Sequence, residues 1–524
     1  MRRRTLIGPL AITAVAVGVL GCGVGGAAAA AQPLCEQSSY ICTDLASHRT
    51  YEGAYTGHDE PSLLFYSSTS GSGNDNTYRI TLPRDPAAQP AQDGSGATWN
   101  FQLHPAFWLG MAMCDTESAP EFTKTCTPDS DTNIKDSADP SSPDYVGRHS
   151  GGAFMEMQFY PPGWASWPPG VSCSPTKWCA AMTIDSLSQL EGPSGPVSNN
   201  AACLAGVGEE PVNLAFITRS GAAHAPAGPM EVLANDALVP NPSTDLWMDP
   251  GDQLVVHLHD TPAGFRVDIS DLTSGESGSM TASPANGFAQ VVFEPTSTTC
   301  HEQPYAFHPM YATSSEHTRV PWAAHSYNVA YSDEIGHFEY CSTVDALGNC
   351  TGGGNELRDQ DDTVCFDASA SLLVPIGGCL GLDDDFDGVS YQQSAWPGTG
   401  AAAGTVADPI TFSSPTFGNG ANFDRVAFET DLPALERAFA GCDAATGAGC
   451  TVPPPGAGFY PMYTTASAGG SCVWREGGPL LPGALETFGG TPAAQYGDLL
   501  FLDYPEGHIL EDNRRILPNN PCPA

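Results

Sequence analysis

The sequence predicts an all-β protein: two related β-sandwich or jelly-roll domains, stapled by disulfides, with very little helix. Three observations carry that expectation. Short runs of alternating apolar and polar residues recur along the 524-residue chain, while helical 3.6-residue periodicity is nearly absent. The 57 glycines and 46 prolines punctuate those runs with turns. Seventeen cysteines point to a disulfide framework in an oxidising compartment.

The opening residues are expected to be an address. Arg2, Arg3 and Arg4 precede the apolar run 6–20, and Ala27 to Ala31 offers a small-residue cleavage site. Residues 1–31 therefore read as a signal peptide of a secreted, extracellular protein. Val19-Leu20-Gly21-Cys22 offers the alternative of a lipid anchor at the cell surface through Cys22. No transmembrane segment is expected, because no later stretch approaches 18 uninterrupted apolar residues. Setting Cys22 aside leaves an even cysteine count. Close spacing offers the pairs Cys35/Cys42, Cys114/Cys126, Cys173/Cys179, Cys341/Cys350, Cys365/Cys379 and Cys442/Cys450, leaving Cys203/Cys300 and Cys472/Cys522.

Strands are expected at 154–160, 254–259, 265–269, 288–294 and 327–331, each alternating faces. One helix is expected at 432–439, between an Asp431 N-cap and Gly441. An internal echo suggests the domain plan. Phe288 to Glu294 matches Phe423 to Glu429 at Phe, Val, Phe and Glu, and Asn-Gly precedes both. Phe307 to Ser315 then matches Phe459 to Ser467, in the same order. The expected units are 32–345, an N-terminal β-sandwich, and 346–524, a β-rich partial repeat.

Composition excludes some functions. Fifty-nine acidic residues against 19 basic give a net charge of −40, and phosphate-backbone affinity comes from Lys and Arg. Nucleic acid is not an expected partner. A polysaccharide or an extracellular protein substrate is compatible with this surface.

The strand 154–160 holds the strongest candidate chemistry. Period-2 geometry puts Met155, Met157 and Phe159 on one face, and Phe154, Glu156, Gln158 and Tyr160 on the other. A second strand puts Ala289, Val291 and Phe293 in the core, leaving Phe288, Gln290 and Glu294 opposite. Glu156, Gln158 and Glu294 are the candidate catalytic residues, since paired carboxylates on a sheet can serve as acid and nucleophile in glycoside hydrolysis. Phe154, Tyr160, Trp164 and Trp167 are candidate substrate-binding aromatics, able to stack on sugars. A solvated outer face is the competing structural reading.

Three segments in order resemble the eqolisin-type glutamic peptidases. Gly152 to Pro161 resembles their aromatic strand ending in Glu-x-Tyr-Pro. Pro250-Gly251-Asp252 and Leu272-Thr273-Ser274-Gly275 resemble their Pro-Gly-Asp strand and Leu-Thr-x-Gly turn. The resemblance spans roughly 100–295 and implies a concanavalin-like sandwich. It also implies acid peptidase activity, with Glu294 where that family carries its catalytic glutamate. The pattern is incomplete: Trp108-Leu109-Gly110 is present, but no glutamine follows between Cys114 and Asp131. The chain also resembles a group of uncharacterised secreted bacterial and fungal proteins.

Two metal readings arise. Asp383, Asp385 and Asp387, followed by Gly388, form the start of a calcium loop, although Ser394 stands where a bidentate glutamate would close it. Calcium is the candidate cofactor; none is required by the other readings. His257-Leu258-His259 puts two imidazoles on one strand face, but no third ligand is evident along the chain, so a hydrogen-bonded surface pair is expected there. No Gly-x-Ser-x-Gly motif supports serine catalysis. The expected function is carbohydrate binding or hydrolysis on the Glu-lined face, with an acid peptidase or a non-catalytic surface protein as alternatives.

Overall fold

The computed structural model describes residues 62–67, 75–82, 99–117, 152–162, most of 173–232, 238–309 and 325–338. Shorter stretches, chiefly strands, are described between 343 and 522. Two large antiparallel sheets dominate.

The first sheet has nine strands in line. Its order is β17 (Asp498–Asp503), β18 (Ile509–Ile516), β14 (Arg425–Asp431), β1 (Ser62–Ser67), β12 (His325–Phe338), β3 (Trp99–Cys114), β4 (Gly152–Tyr160), β5 (Cys179–Ser186) and β6 (Val212–Phe216). The short strand His308–Pro309 pairs with the end of β3 as a tenth member. The second sheet runs β9 (Ser277–Thr281), β8 (Arg266–Asp271), β7 (Gln253–His259), β2 (Asn76–Thr81), β13 (Thr411–Ser413), β16 (Ser471–Glu476) and β15 (Tyr463–Ala468). β10 (Ala289–Val291) and β11 (Glu302–Pro304) form a separate two-stranded pair.

The sheets pack face to face through alternate side chains. Phe107, Met155, Met157, Phe159, Met182 and Ile184 of the first sheet share one buried cluster with Tyr78, Ile80, Val256, Val267, Ile269 and Met280 of the second. Phe107 stacks on Phe159 at 4.6 Å, and Phe65 of β1 meets Trp474 of β16 edge to face at 5.9 Å. Each such side chain removed from water contributes about 1.5–3 kcal/mol. Cutting one of these Met or Phe residues to alanine would leave a cavity between the sheets.

Helix is sparse. Among the described residues it amounts to α1 (Ala201–Val207), α2 (Pro229–Val232) and short 3-10 turns such as Pro284–Asn286. Asn200 caps α1, its side chain accepting from the N–H groups of Ala202 and Cys203. No described helix is long and apolar enough to cross a membrane. The helix expected at 432–439 lies outside the described residues.

Among the described residues three of the expected disulfides form: Cys173–Cys179, Cys203–Cys300 and Cys472–Cys522. Cys114 is disulfide-bonded as well. The strand register sets Cys365 opposite Cys379.

Both sheets draw strands from either side of residue 345. Leu63 of β1 faces Val329 on one side and Phe428 on the other. Tyr78 of β2 faces Val256 and Phe412. The expected division at 345/346 itself falls outside the described residues. The two echoed blocks occupy different places: 289–291 lies in the small β10–β11 pair, and 425–431 is an interior strand of the first sheet.

Candidate functional site

β4 carries the polar row that the alternation predicts. Met155, Met157 and Phe159 point into the shared core, so Phe154, Glu156, Gln158 and Tyr160 fall on the opposite face. That face is not solvated. Glu156 is 8% exposed and Gln158 6% exposed, and buried polar groups of this kind must find partners.

The partners lie along the strand. Gln158 Nε2 donates to Glu156 Oε2 at 2.5 Å, and Tyr160 Oη donates to Gln158 Oε1. Thr183 of β5 donates its hydroxyl to the Glu156 carbonyl oxygen at 3.1 Å. The amide is thereby fixed between a phenol and a carboxylate, with its donor end toward the carboxylate.

A second acid shares the face. Register pairs Glu156 with Thr183 and Phe154 with Asp185, which makes Asp185 the diagonal neighbour of Glu156. Burial, then the Glu156 charge, then that of Glu210, hold the Asp185 carboxyl well above its ordinary range. Asp185 retains its proton where an ordinary aspartate would lose it. Burial likewise raises the Tyr160 phenol, with Glu156 adding to the effect.

Aromatic rings border this acid pair. Trp108 stands opposite Gln158 on β3, and its ring meets Phe154 edge to face at 5.6 Å. The two rings close over Gly110, which faces Glu156 in the register; a Cβ there would strike both. Toward β6 the face is covered by Phe216, Leu214 and Val232 of α2, against which Tyr160 packs.

Glu294 sits elsewhere. β10 ends at Val291, three residues before the expected limit, so Glu294 lies in the following turn. Asn199 and Asn200 hold that turn. Asn199 accepts from the Glu294 N–H and donates to the Val292 carbonyl, while Asn200 donates to the Glu294 and Thr299 carbonyls. The Cys203–Cys300 bridge ties the turn to α1. The Glu294 carboxylate pairs with His301 Nδ1 at 2.8 Å, and both side chains are substantially exposed. The structure thus joins Glu156 to Gln158, Tyr160 and Phe154, and seats Glu294 on His301. Trp164, Trp167, Asp383, Asp385 and Asp387 lie outside the described residues.

A buried acid–amide pair also forms at the end of β3. Gln290 of β10 donates to Asp115 Oδ1, and the Glu117 N–H donates to the same oxygen at 2.9 Å. Gln303 of β11 donates to Gln290 Oε1 and to Glu117 Oε1. Burial pushes the Asp115 carboxyl up to about 6 against these donors. Neither Asp115 nor Asp185 was singled out along the chain. Asp185 had a legible signal, because Met182 and Ile184 are core and leave Thr183 and Asp185 facing the Glu156 row.

The sequence matches no protein-family model and no curated protein. Among solved structures it aligns with the crystal structure of scytalido-glutamic peptidase with a peptide-based transition-state analogue. That alignment has 6% identity, covers 80% of this chain and 100% of the other, and gives a TM-score of 0.21. A likeness that weak carries neither fold nor activity.

Proposed function

We propose that the protein is an extracellular hydrolase working at acidic pH, with polysaccharide as its substrate class and Glu156 and Asp185 as its catalytic carboxyls. The observation that carries this reading is the placement of two carboxyls diagonally on one sheet face, where burial and the neighbouring Glu156 charge hold the Asp185 carboxyl well above its ordinary range. Asp185, the proton-retaining member, is suited to protonate a leaving glycosidic oxygen. Glu156, anchored by Gln158, is suited to attack or stabilise the anomeric carbon from the side opposite the leaving oxygen. Trp108, Phe154 and Tyr160 bound the pair with apolar rings that lower its access to water.

A second reading is favoured by one contact. The Gln158 amide on the Glu156 carboxylate is the donor set that a glutamic peptidase uses to activate water. Here both groups come from one strand.

A panel of soluble polysaccharides and denatured proteins, assayed from pH 3 to 7, decides between them. Reducing-sugar release that falls at least about a hundredfold in Glu156→Gln and Asp185→Asn supports the first reading. Peptide release with the same dependence replaces it with the second. Folded protein inert toward both panels removes the enzyme reading.

A further inference from the structure

The outer face of the second sheet holds a group of side chains that the acid site does not use. β7 presents His257 and His259 two residues apart, hence on one face, and their rings stack at 4.3 Å with planes only 6° apart. The register sets Asp268 of β8 directly opposite His257. Asp268 Oδ2 lies 2.9 Å from His259 Nε2. From the other side, Asp75 brings Oδ1 to 2.9 Å from His257 Nε2. His257, His259 and Asp268 each offer one ligand atom, and these atoms lie within 4.8 Å of one another.

We infer that this face is a metal site for a borderline divalent ion of the zinc class, held by His257, His259 and Asp268, with Asp75 closing the coordination.

Four features carry the inference. Two imidazole nitrogens and a carboxylate oxygen form a donor set of the mixed kind that suits such ions and disfavours magnesium. The strand imposes the His-x-His geometry, so both rings turn the same way without cost in backbone order. Ligand atoms around a tetrahedral ion stand about 3.3 Å apart when the bonds are about 2.0 Å. The two carboxylate–imidazole contacts, at 2.9 Å, already approach that spacing, and inward rotation of side chains closes the wider separations. Arg266 supplies the outer support. Its guanidinium holds Asp268 through Nη2 to Oδ1 at 2.6 Å and through Nε to both oxygens. That grip fixes the carboxylate with Oδ2 toward His259. All four ligand residues keep solvent access, with side-chain exposures from 25% for His259 to 57% for Asp75.

The test uses the full protein, stripped with chelator and held in excess Mg²⁺ so that loose acidic positions are filled. Zinc chloride is titrated in, with calorimetry and total metal analysis as readouts, and Co²⁺ is then used as an optical probe. The expected result is one Zn²⁺ per chain above the Mg²⁺ background. Co²⁺ should give the intense visible band of a tetrahedral site, discharged by Zn²⁺. His257→Gln/His259→Gln should abolish both signals, Asp75→Asn should weaken binding about tenfold, and Glu156→Gln should leave binding unchanged. Imidazole nitrogen shifts of His257 and His259 in the unsubstituted protein report the same event without relying on any variant. Absence of stoichiometric Zn²⁺ binding, unmoved His257 and His259 resonances, or equal binding by the double histidine variant would overturn the inference.

Discussion

Gln158 bonds its side-chain amide to Glu156 two residues earlier on the same strand, while Tyr160 bonds the other end of that amide. A row of three consecutive outward positions is thus a hydrogen-bonded chain, built with no contribution from a loop. Replacing Gln158 by leucine keeps the volume and removes the donor, leaving a buried carboxylate short of a partner. The expected loss is about 1–3 kcal/mol of stability, measured by urea unfolding, together with a drop in any hydrolytic activity that depends on Glu156. Unchanged stability would mean that water replaces the amide.

Asp115 makes stability depend on pH. Its folded value of about 6 exceeds the unfolded value of about 3.9, so the native state binds more protons between them. Stability is unpenalised below about pH 4 and falls as pH rises, with the full cost present above pH 6. Two units correspond to about 3 kcal/mol. Urea midpoints at pH 4 and pH 7 should show a fall in wild type that is smaller in Asp115→Asn. Asp185, raised for similar reasons, titrates in the same sense and leaves part of the slope.

Gly110 is required by its neighbours rather than by its backbone angles. The Trp108 and Phe154 rings occupy the volume a Cβ would need. Gly110→Ala should cost about 1–3 kcal/mol and displace Trp108, read as a change in near-ultraviolet dichroism. A melting temperature equal to wild type would show that the rings yield freely.

The disulfides differ in the loops they close. Cys203–Cys300 spans 97 positions, and Cys173–Cys179 spans six. Loop-closure entropy assigns about 4.7 kcal/mol to the former and about 2 kcal/mol to the latter. The paired serine variants should therefore differ in unfolding free energy by about 2–3 kcal/mol, with Cys203→Ser/Cys300→Ser the weaker protein. The long bridge also anchors the turn bearing Glu294, so its loss should expose that turn to proteolysis first.

Legibility followed the range of the interaction. The faces of β4 could be read because period-2 alternation is local, and so could the pairing of Cys173 with Cys179. What Glu156 faces could not be read, since Thr183 and Asp185 arrive from another strand through a register that sequence spacing does not encode. The same holds for His257: its neighbour Asp268 is set by β7–β8 pairing, and Asp75 by chain from far upstream. The expected strand 288–294 stops at Val291 because the chain turns where Asn199 and Asn200 capture its backbone. Alternation alone carries no sign of that capture. Asn200 also begins α1, a short helix whose N-cap is a local signal that strand alternation does not register.

β1 is hydrogen-bonded between β12 and β14, and β2 between β7 and β13. Strands made early in synthesis are thus completed by strands made late. During that interval both stretches present open edges, which invite pairing with other chains, and the many distant pairings make closure slow. The delay is a hazard in a crowded cytoplasm. For a chain that is threaded through a membrane before it folds, the same delay would keep it transportable until its last strands have crossed.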